Sequence, residues 1–183
     1  RDSQRPSRQR SPSRHQRVWQ EWLEEVPSLK NLEIDRCIKP VGFEQLQSTE
    51  LHHFSDASEL GYGTASYLSV TNSKGDIHCA LVLGKARVAP LKKTTIPRLE
   101  LSAATVAVRV NKQITKELDV QVDRTVFWTD SMTVLRYIQN ESTRFHTFVA
   151  NRLSVIHDGS SPSQWRYVNT KDNPADDSSH GLP

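Results

Sequence analysis

The chain has 183 residues, 36% of them hydrophobic, and a formal net charge of +3, which is enough apolar material for one ordinary core plus an extension. The charge is unevenly placed: residues 1–17 hold six Arg and one Asp, so the rest sums to −2 and the basic balance describes a tail. Cys37 and Cys79 form neither a metal pair nor a disulfide framework, no apolar run approaches the ~20 residues of a membrane span, and no signal peptide is visible. An intracellular setting, cytoplasmic or nuclear, is the expectation.

Residues 1–17 are Arg, Ser, Gln and Pro with almost nothing apolar, a composition that cannot repay the entropy of ordering and predicts a disordered tail. From Val18 to Val26, Trp19, Trp22 and Leu23 fall at helical spacing and predict a short amphipathic helix that stops before Pro27. Leu29 to Pro40 alternates loosely and reads as an extended connector.

A first strand is expected over Leu51–Ser58, a second over Thr64–Val70 and a third over Ile77–Val88, the last with Ile77, Cys79, Leu81 and Leu83 on one face. Short turns between them, including Asn72-Ser73-Lys74-Gly75, make an antiparallel meander. The longest helix follows, from Pro97 to about Leu118, with Leu99, Ala103, Val106, Val110, Ile114 and Leu118 as one stripe. A fourth strand over Thr125–Asp130, a short helix over Met132–Gln139 that Ser131 can cap, a helix over Phe145–His157, a fifth strand over Gln164–Asn169 and a last helical turn after Asn173-Pro174-Ala175-Asp176 complete the order. The succession implies an α/β fold: a mixed five-stranded sheet flanked by helices, in which a right-handed crossover through the long helix lays the fourth strand beside the first.

That topology gives the acids a common address. Asp56 lies on the first strand and Asp130 closes the fourth at its carboxyl edge, where ligands of open α/β sheets bind. Glu100, in the first turn of the long helix, reaches them if the helix tilts back across that edge; alone, it also fits a favourable charge at a helix start. Asp176 follows the fifth strand. Each acid also has a structural alternative: a turn residue, a helix cap or a surface charge. Four clustered carboxylates are driven towards neutrality unless cations sit between them, and Mg²⁺ prefers such oxygen ligands. Two such ions ~4 Å apart can activate a water and stabilise the leaving oxygen in phosphodiester cleavage.

The motifs Phe54-Ser55-Asp56-Ala57-Ser58, Gly61-Tyr62-Gly63, Pro97-Arg98-Leu99-Glu100-Leu101, Trp128-Thr129-Asp130-Ser131, Phe148-Val149-Ala150-Asn151-Arg152 and Asn173-Pro174-Ala175-Asp176 stand in this order. Together they resemble the ribonuclease H domain of BEL/Pao-type retrotransposon polyproteins over Leu51–Leu182. The resemblance implies a ribonuclease-H-like fold and hydrolysis of the RNA strand of RNA–DNA hybrids with two Mg²⁺ ions, Mn²⁺ being a substitute. It makes Asp56, Glu100, Asp130 and Asp176 the catalytic, metal-binding acids. It also implies a division into a tail (1–17), a segment connecting to an upstream reverse transcriptase (18–47) and the ribonuclease-H-like domain (48–183), with reverse transcriptase and integrase regions of the same polyprotein as partners. Expected nucleic-acid contacts are Ser58, Lys92, Lys93, Ser131, Arg144 and Asn173.

The chain departs from the family in several places. Thr170 and Lys171 stand where many relatives carry a histidine that assists water attack or product release, and His157 and His180 are not obvious substitutes. Ser179-His180-Gly181 replaces the usual Ser-Arg-Gly, the last helix is expected to be short, and no basic, Trp-containing handle stands out between Gln139 and Gln164. Substrate affinity then rests on scattered cations, Lys85 and Arg87 among them, or on neighbouring domains. These departures favour a competing reading, a catalytically weak or inactive module that binds nucleic acid or supports a polymerase; the four retained acids oppose it. A transposase or integrase core fits less well, because those sites generally use three acids in another order.

Overall fold

The computed structural model describes residues 13–33, 40, 42, 43, 45–140 and 142–180, and the chain divides into two compact units, Arg1–Cys37 and Ile38–Pro183. In the first unit, helix α1 spans Arg14–Glu25. It begins inside the stretch expected to be disordered because Ser13 and Gln16 form a capping box: Gln16 N–H donates to Ser13 Oγ, and Ser13 N–H donates to Gln16 Oε1 at 2.8 Å. Trp19 and Trp22 stack with ring centres 5.0 Å apart and stay exposed. A 3₁₀ turn over Val26–Asn31 carries Pro27 in its first turn, so Leu29 is not extended. The rest of the tail, the alternation at Ile34, Cys37 and Ile38, and residues 181–183 lie outside the described residues.

The second unit contains β1 (Leu46–Ala57), β2 (Gly61–Asn72), β3 (Ile77–Val88), α2 (Ile96–Glu117), β4 (Arg124–Thr129), α3 (Met132–Gln139), α4 (Thr147–His157), β5 (Trp165–Tyr167) and α5 (Asp176–His180). The strands lie in the order β3-β2-β1-β4-β5. The first three are antiparallel, β4 runs parallel to β1, and β5 runs parallel to β4. This is the mixed, helix-flanked α/β sheet that the element order implies. The β2–β3 turn is held by Asn72, whose Oδ1 accepts from the backbone N–H groups of Lys74 and Asp76, while Gly75 supplies a φ of +85°.

The predicted stripe of α2 is its buried face, from Leu99 to Ile114. Ala103, Ala104 and Ala107 are fully buried, and their small side chains let the helix lie close on β1 and β2. One face of the sheet therefore carries the core, with Phe127, Leu101, Val134, Leu153, Ile156 and Trp165 in one cluster and Leu51, Leu68, Val70, Val106, Val110 and Ile114 in a second. The other face bears half-buried His52, Phe54, Tyr67 and Trp128. The expected common face of Ile77, Cys79, Leu81 and Leu83 is corrected here. A bulge opposite Ser66/Tyr67 breaks the alternation of β3, so Leu83 packs against the core while Ile77 and Leu81 are exposed.

His53 is the polar member of the covered face. It is fully buried, with Nε2–H donating to Asn111 Oδ1 at 3.0 Å and Nδ1 accepting from Ser66 Oγ at 2.8 Å. Burial pushes its pKa down to about 4, outweighing the Asn111 bond. Between pH 6.5 and 4 the unfolded chain binds the proton and the folded chain does not, so this contribution is present above pH 6.5 and lost as pH falls. The His53 ring resonances should titrate near pH 4, and the wild type should lose about 3 kcal/mol more than His53→Gln between pH 7 and pH 4 in urea denaturation.

Candidate metal centre

The site is assembled by the parallel pairing of β1 with β4. Its last registered pair is Ser55 with Thr129, so Asp56 and Asp130 are the next residues on adjacent strands. Asp56 is buried and Asp130 half-buried. Glu100 is the fifth residue of α2, beyond the first turn, which corrects the expectation of a first-turn position and removes the helix-start explanation. Its Oε2 accepts from Ser131 Oγ at 2.5 Å, and the same Ser131 oxygen accepts from Val134 N–H to cap α3. One hydroxyl thus ties α2 to the end of β4.

Asp176 opens α5, which is anchored from below. Asn173 Nδ2 donates to Ser55 O at 3.2 Å and its Oδ1 accepts from Ala175 N–H. Ser58 Oγ donates to Ser179 O at 2.6 Å, and Ser179 Oγ donates to Asp56 Oδ2. His180 Nδ1 lies 2.8 Å from Asp176 Oδ1. Asp56, Asp176 and His180 each offer a ligand atom within 4.8 Å of the others. His180, set aside in the sequence reading, joins the acids because a helix turn places it four residues after Asp176; an acid and a histidine at that spacing was the available signal.

Burial pushes the Asp56 and Glu100 carboxyls above the ordinary range. The Ser179 and Ser131 hydrogen bonds oppose this, and the charge of Asp130 reinforces it at both; Asp176 adds to it at Asp56, and Asp56 at Glu100. Asp130 Oδ2 accepts from Thr170 Oγ1 at 2.8 Å, whereas its buried Oδ1 has no hydrogen-bond partner. A buried carboxylate oxygen without a partner, among acids that repel one another, is the environment a hard divalent cation satisfies. The oxygen-rich donor set fits Mg²⁺ or Mn²⁺, and the imidazole of His180 is the better match to Mn²⁺.

Three expected nucleic-acid contacts receive a different role. Ser58, Ser131 and Asn173 are all buried, and their side chains are committed to the internal bonds just described. Lys92, Lys93 and Arg144 are exposed on the segments that precede α2 and α4. Along the open face, segment 170–177 and His52, Phe54, Tyr67, Ser69 and Cys79 border a groove of about 690 Å³.

Residues 7–131, more than half of the chain, match the family model of the Pao retrotransposon-like RNaseH-like domain. The chain belongs to this family. The match includes Asp56, Glu100 and Asp130 and ends before Asp176. No curated protein matches the chain. Among solved structures, the N-terminal RNase H domain of a Mycobacterium tuberculosis protein is similar at 11% identity and a TM-score of 0.47, over 73% of this chain and 92% of that one. RNase H1 of Halobacterium salinarum is similar at 12% identity and a TM-score of 0.47, over 73% and 95%. LC11-RNase H1 in complex with an RNA/DNA hybrid is similar at 13% identity and a TM-score of 0.45, over 72% and 93%. Among the described residues of this Pao-family domain, no helix is long and apolar enough to cross a membrane.

Gly63, the β2 partner of Asp56, leaves room for α5. A Cβ there would lie 2.6 Å from Lys85 O and 3.0 Å from Ser178 Cβ, so Gly63→Ala should cost about 2 kcal/mol in chemical denaturation. Asp130→Asn removes the charge that both neighbours oppose. In metal-free buffer at pH 7 it should stabilise the protein, which thermal denaturation reads as a raised Tm. A raised carboxyl pKa means stability lost as pH rises through it, so the gain should shrink as pH falls and the Asp56 and Glu100 carboxyls take up protons. Excess MgCl₂ should reverse the ranking of the two proteins.

Proposed function

We propose that this chain hydrolyses the RNA strand of RNA–DNA hybrids, using divalent cations held by Asp56, Glu100, Asp130 and Asp176, with Mg²⁺ as the ion and Mn²⁺ as a substitute. The reading is supported by the electrostatic coupling of the acids: the charge of Asp130 bears on both Asp56 and Glu100, that of Asp176 bears on Asp56, and Asp130 keeps a buried Oδ1 without a hydrogen-bond partner among the described residues. Membership in the Pao RNaseH-like family supports it. When bound, a pair of such ions supplies a water of lowered pKa and stabilisation of the leaving oxygen.

The protein's own contribution is to fix the carboxylates in advance. Ser131 holds one oxygen of Glu100, Ser179 one of Asp56 and Thr170 one of Asp130, so three of the four acids are oriented by hydroxyls before any ligand arrives. A hybrid pairs a strand bearing 2′-OH groups with one lacking them, so recognition is of shape and sugar rather than sequence. We place the domain within a reverse-transcribing polyprotein, joined through residues 18–47 to a reverse transcriptase and accompanied by an integrase. The retrotransposon-like description of the matching family is what supports this placement.

One observation favours the alternative of a weak or inactive module that binds nucleic acid or supports a polymerase. Thr170, where relatives carry a histidine, spends its hydroxyl on Asp130 and offers no imidazole to move a proton. Cleavage of an end-labelled RNA–DNA hybrid in MgCl₂ separates the two. Hydrolysis should be confined to the RNA strand and abolished by EDTA. Asp56→Asn or Asp130→Asn should slow it by about 10³-fold, the equivalent of about 4 kcal/mol of lost stabilisation. Wild type and Asp130→Asn that bind the hybrid equally and cut it equally poorly would establish the alternative.

A further inference from the structure

A second charged cluster lies on the far side of α2 from the acids. Tyr62, Arg87, Ser102, Thr105, Arg109, Asn151 and Arg152 are the polar residues lining a cleft of about 210 Å³ that contains no carboxylate. Arg152 is its built element. The guanidinium lies 3.4 Å from the centre of the Phe148 ring, Nε donates to Ser102 Oγ at 2.9 Å, and Nη1 donates to Phe148 O at 3.1 Å. Its remaining nitrogen, Nη2, has no hydrogen-bond partner among the described residues.

Arg98 approaches the same ring from 5.0 Å, and the charges of Arg98 and Arg109 bear unfavourably on Arg152. Among the described residues none of Arg87, Arg98, Arg109 and Arg152 forms a salt bridge with a carboxylate. Arginines do not deprotonate in proteins, so the cleft keeps an uncompensated positive charge, with a planar donor held ready for an oxyanion. Tyr62 and Asn151 add neutral hydrogen-bonding groups to the wall.

We propose that this cleft binds a backbone phosphate of the nucleic-acid substrate. The assignment rests on the hydrolytic reading above and names a contact for it away from the acids. Position favours a phosphodiester over a free anion. Tyr62 is the cross-strand partner of Ala57, the residue after Asp56, and Ser102 follows Glu100 by two residues on α2. A strand that carries one charge per ~3.4 Å of axis can present one phosphate to the acids and another to the cleft.

The test compares the full-length wild type with the Arg87→Gln/Arg109→Gln double variant, whose two altered side chains are exposed and hold no internal hydrogen bond among the described residues. Binding of a fluorescein-labelled RNA–DNA hybrid is measured over a salt series in metal-free buffer. The double variant should bind about tenfold more weakly, with a log Kd against log salt slope shallower by about one. Titration with inorganic phosphate should shift the amide resonances of Ser102 and Asn151 in the wild type and not in the variant. A double variant with unchanged affinity and salt slope overturns the assignment. If phosphate still shifts those resonances in that case, the cleft takes a small anion only and the phosphodiester claim falls. A wild type that binds the hybrid more tightly than the variant, yet cuts nothing in MgCl₂, supports the cleft and overturns the hydrolytic reading alone.

Discussion

The parallel pairing of β1 with β4 is the constraint on which the rest of the molecule depends, and it is secured by aromatic side chains on both faces of the sheet. On the covered face, Phe127 stacks between its registered neighbours His53 and Trp165, with ring centres 5.1 and 4.9 Å away. On the open face, Phe54 stacks on its registered partner Trp128 and meets Tyr67 edge-on. Aromatic pairs of this kind contribute about 0.5–1.5 kcal/mol each beyond their burial. They also fix register, because a slip of one residue would exchange the two faces. Asp56 and Asp130 follow directly on the registered segment, so the same stacking that closes the sheet sets two carboxylates side by side.

That juxtaposition is unfavourable in itself, and the surrounding hydroxyls make it tolerable. Ser131, Ser179 and Thr170 come from three different places in the chain, and each donates to one acid. Hydrogen bonds to a charged acceptor are stronger than neutral ones, yet they leave the carboxylates negative and mutually repelling. A lysine or arginine in the same positions would have neutralised the acids and filled the space a cation needs. Hydroxyls orient without neutralising, which leaves the cluster its negative charge.

Much of this was legible in the sequence wherever periodicity and covalent order suffice. The apolar stripe of α2 is readable because one face of a long helix repeats, and the crossover that places β4 beside β1 follows from chain order. Asp56, Glu100 and Asp130 converge for the same topological reason. Other features depend on contacts between distant segments. Ser58, Ser131 and Asn173 are small polar residues that read equally well as ligand contacts or internal fasteners, and only their burial decides the matter. The bulge opposite Ser66/Tyr67 inverts the face of Leu83 and leaves no compositional mark. The start of α1 is a different case. The Ser13-Arg14-His15-Gln16 capping box was present in the sequence, but the basic composition around it outweighed the local signal.

Helix α2 also explains how two clusters of opposite charge persist so close together. Glu100 and Ser102 are two residues apart, which is roughly 200° around a helix of 3.6 residues per turn, so the acids and the Arg152 cleft face opposite sides of one α-helix. The helix with its side chains is about 10–12 Å across, comparable with the ~8–10 Å over which salt screens exposed charges at moderate ionic strength. The acids and arginines are therefore too far apart around the helix to pair directly, and weakly coupled through solvent. Were the arginines on the near side, they would form ion pairs with Glu100 and Asp130 and neither cluster would retain its charge. Alanines at 103, 104 and 107 draw the helix down onto the sheet, so the residue pattern that packs the core also keeps the two charged sites apart.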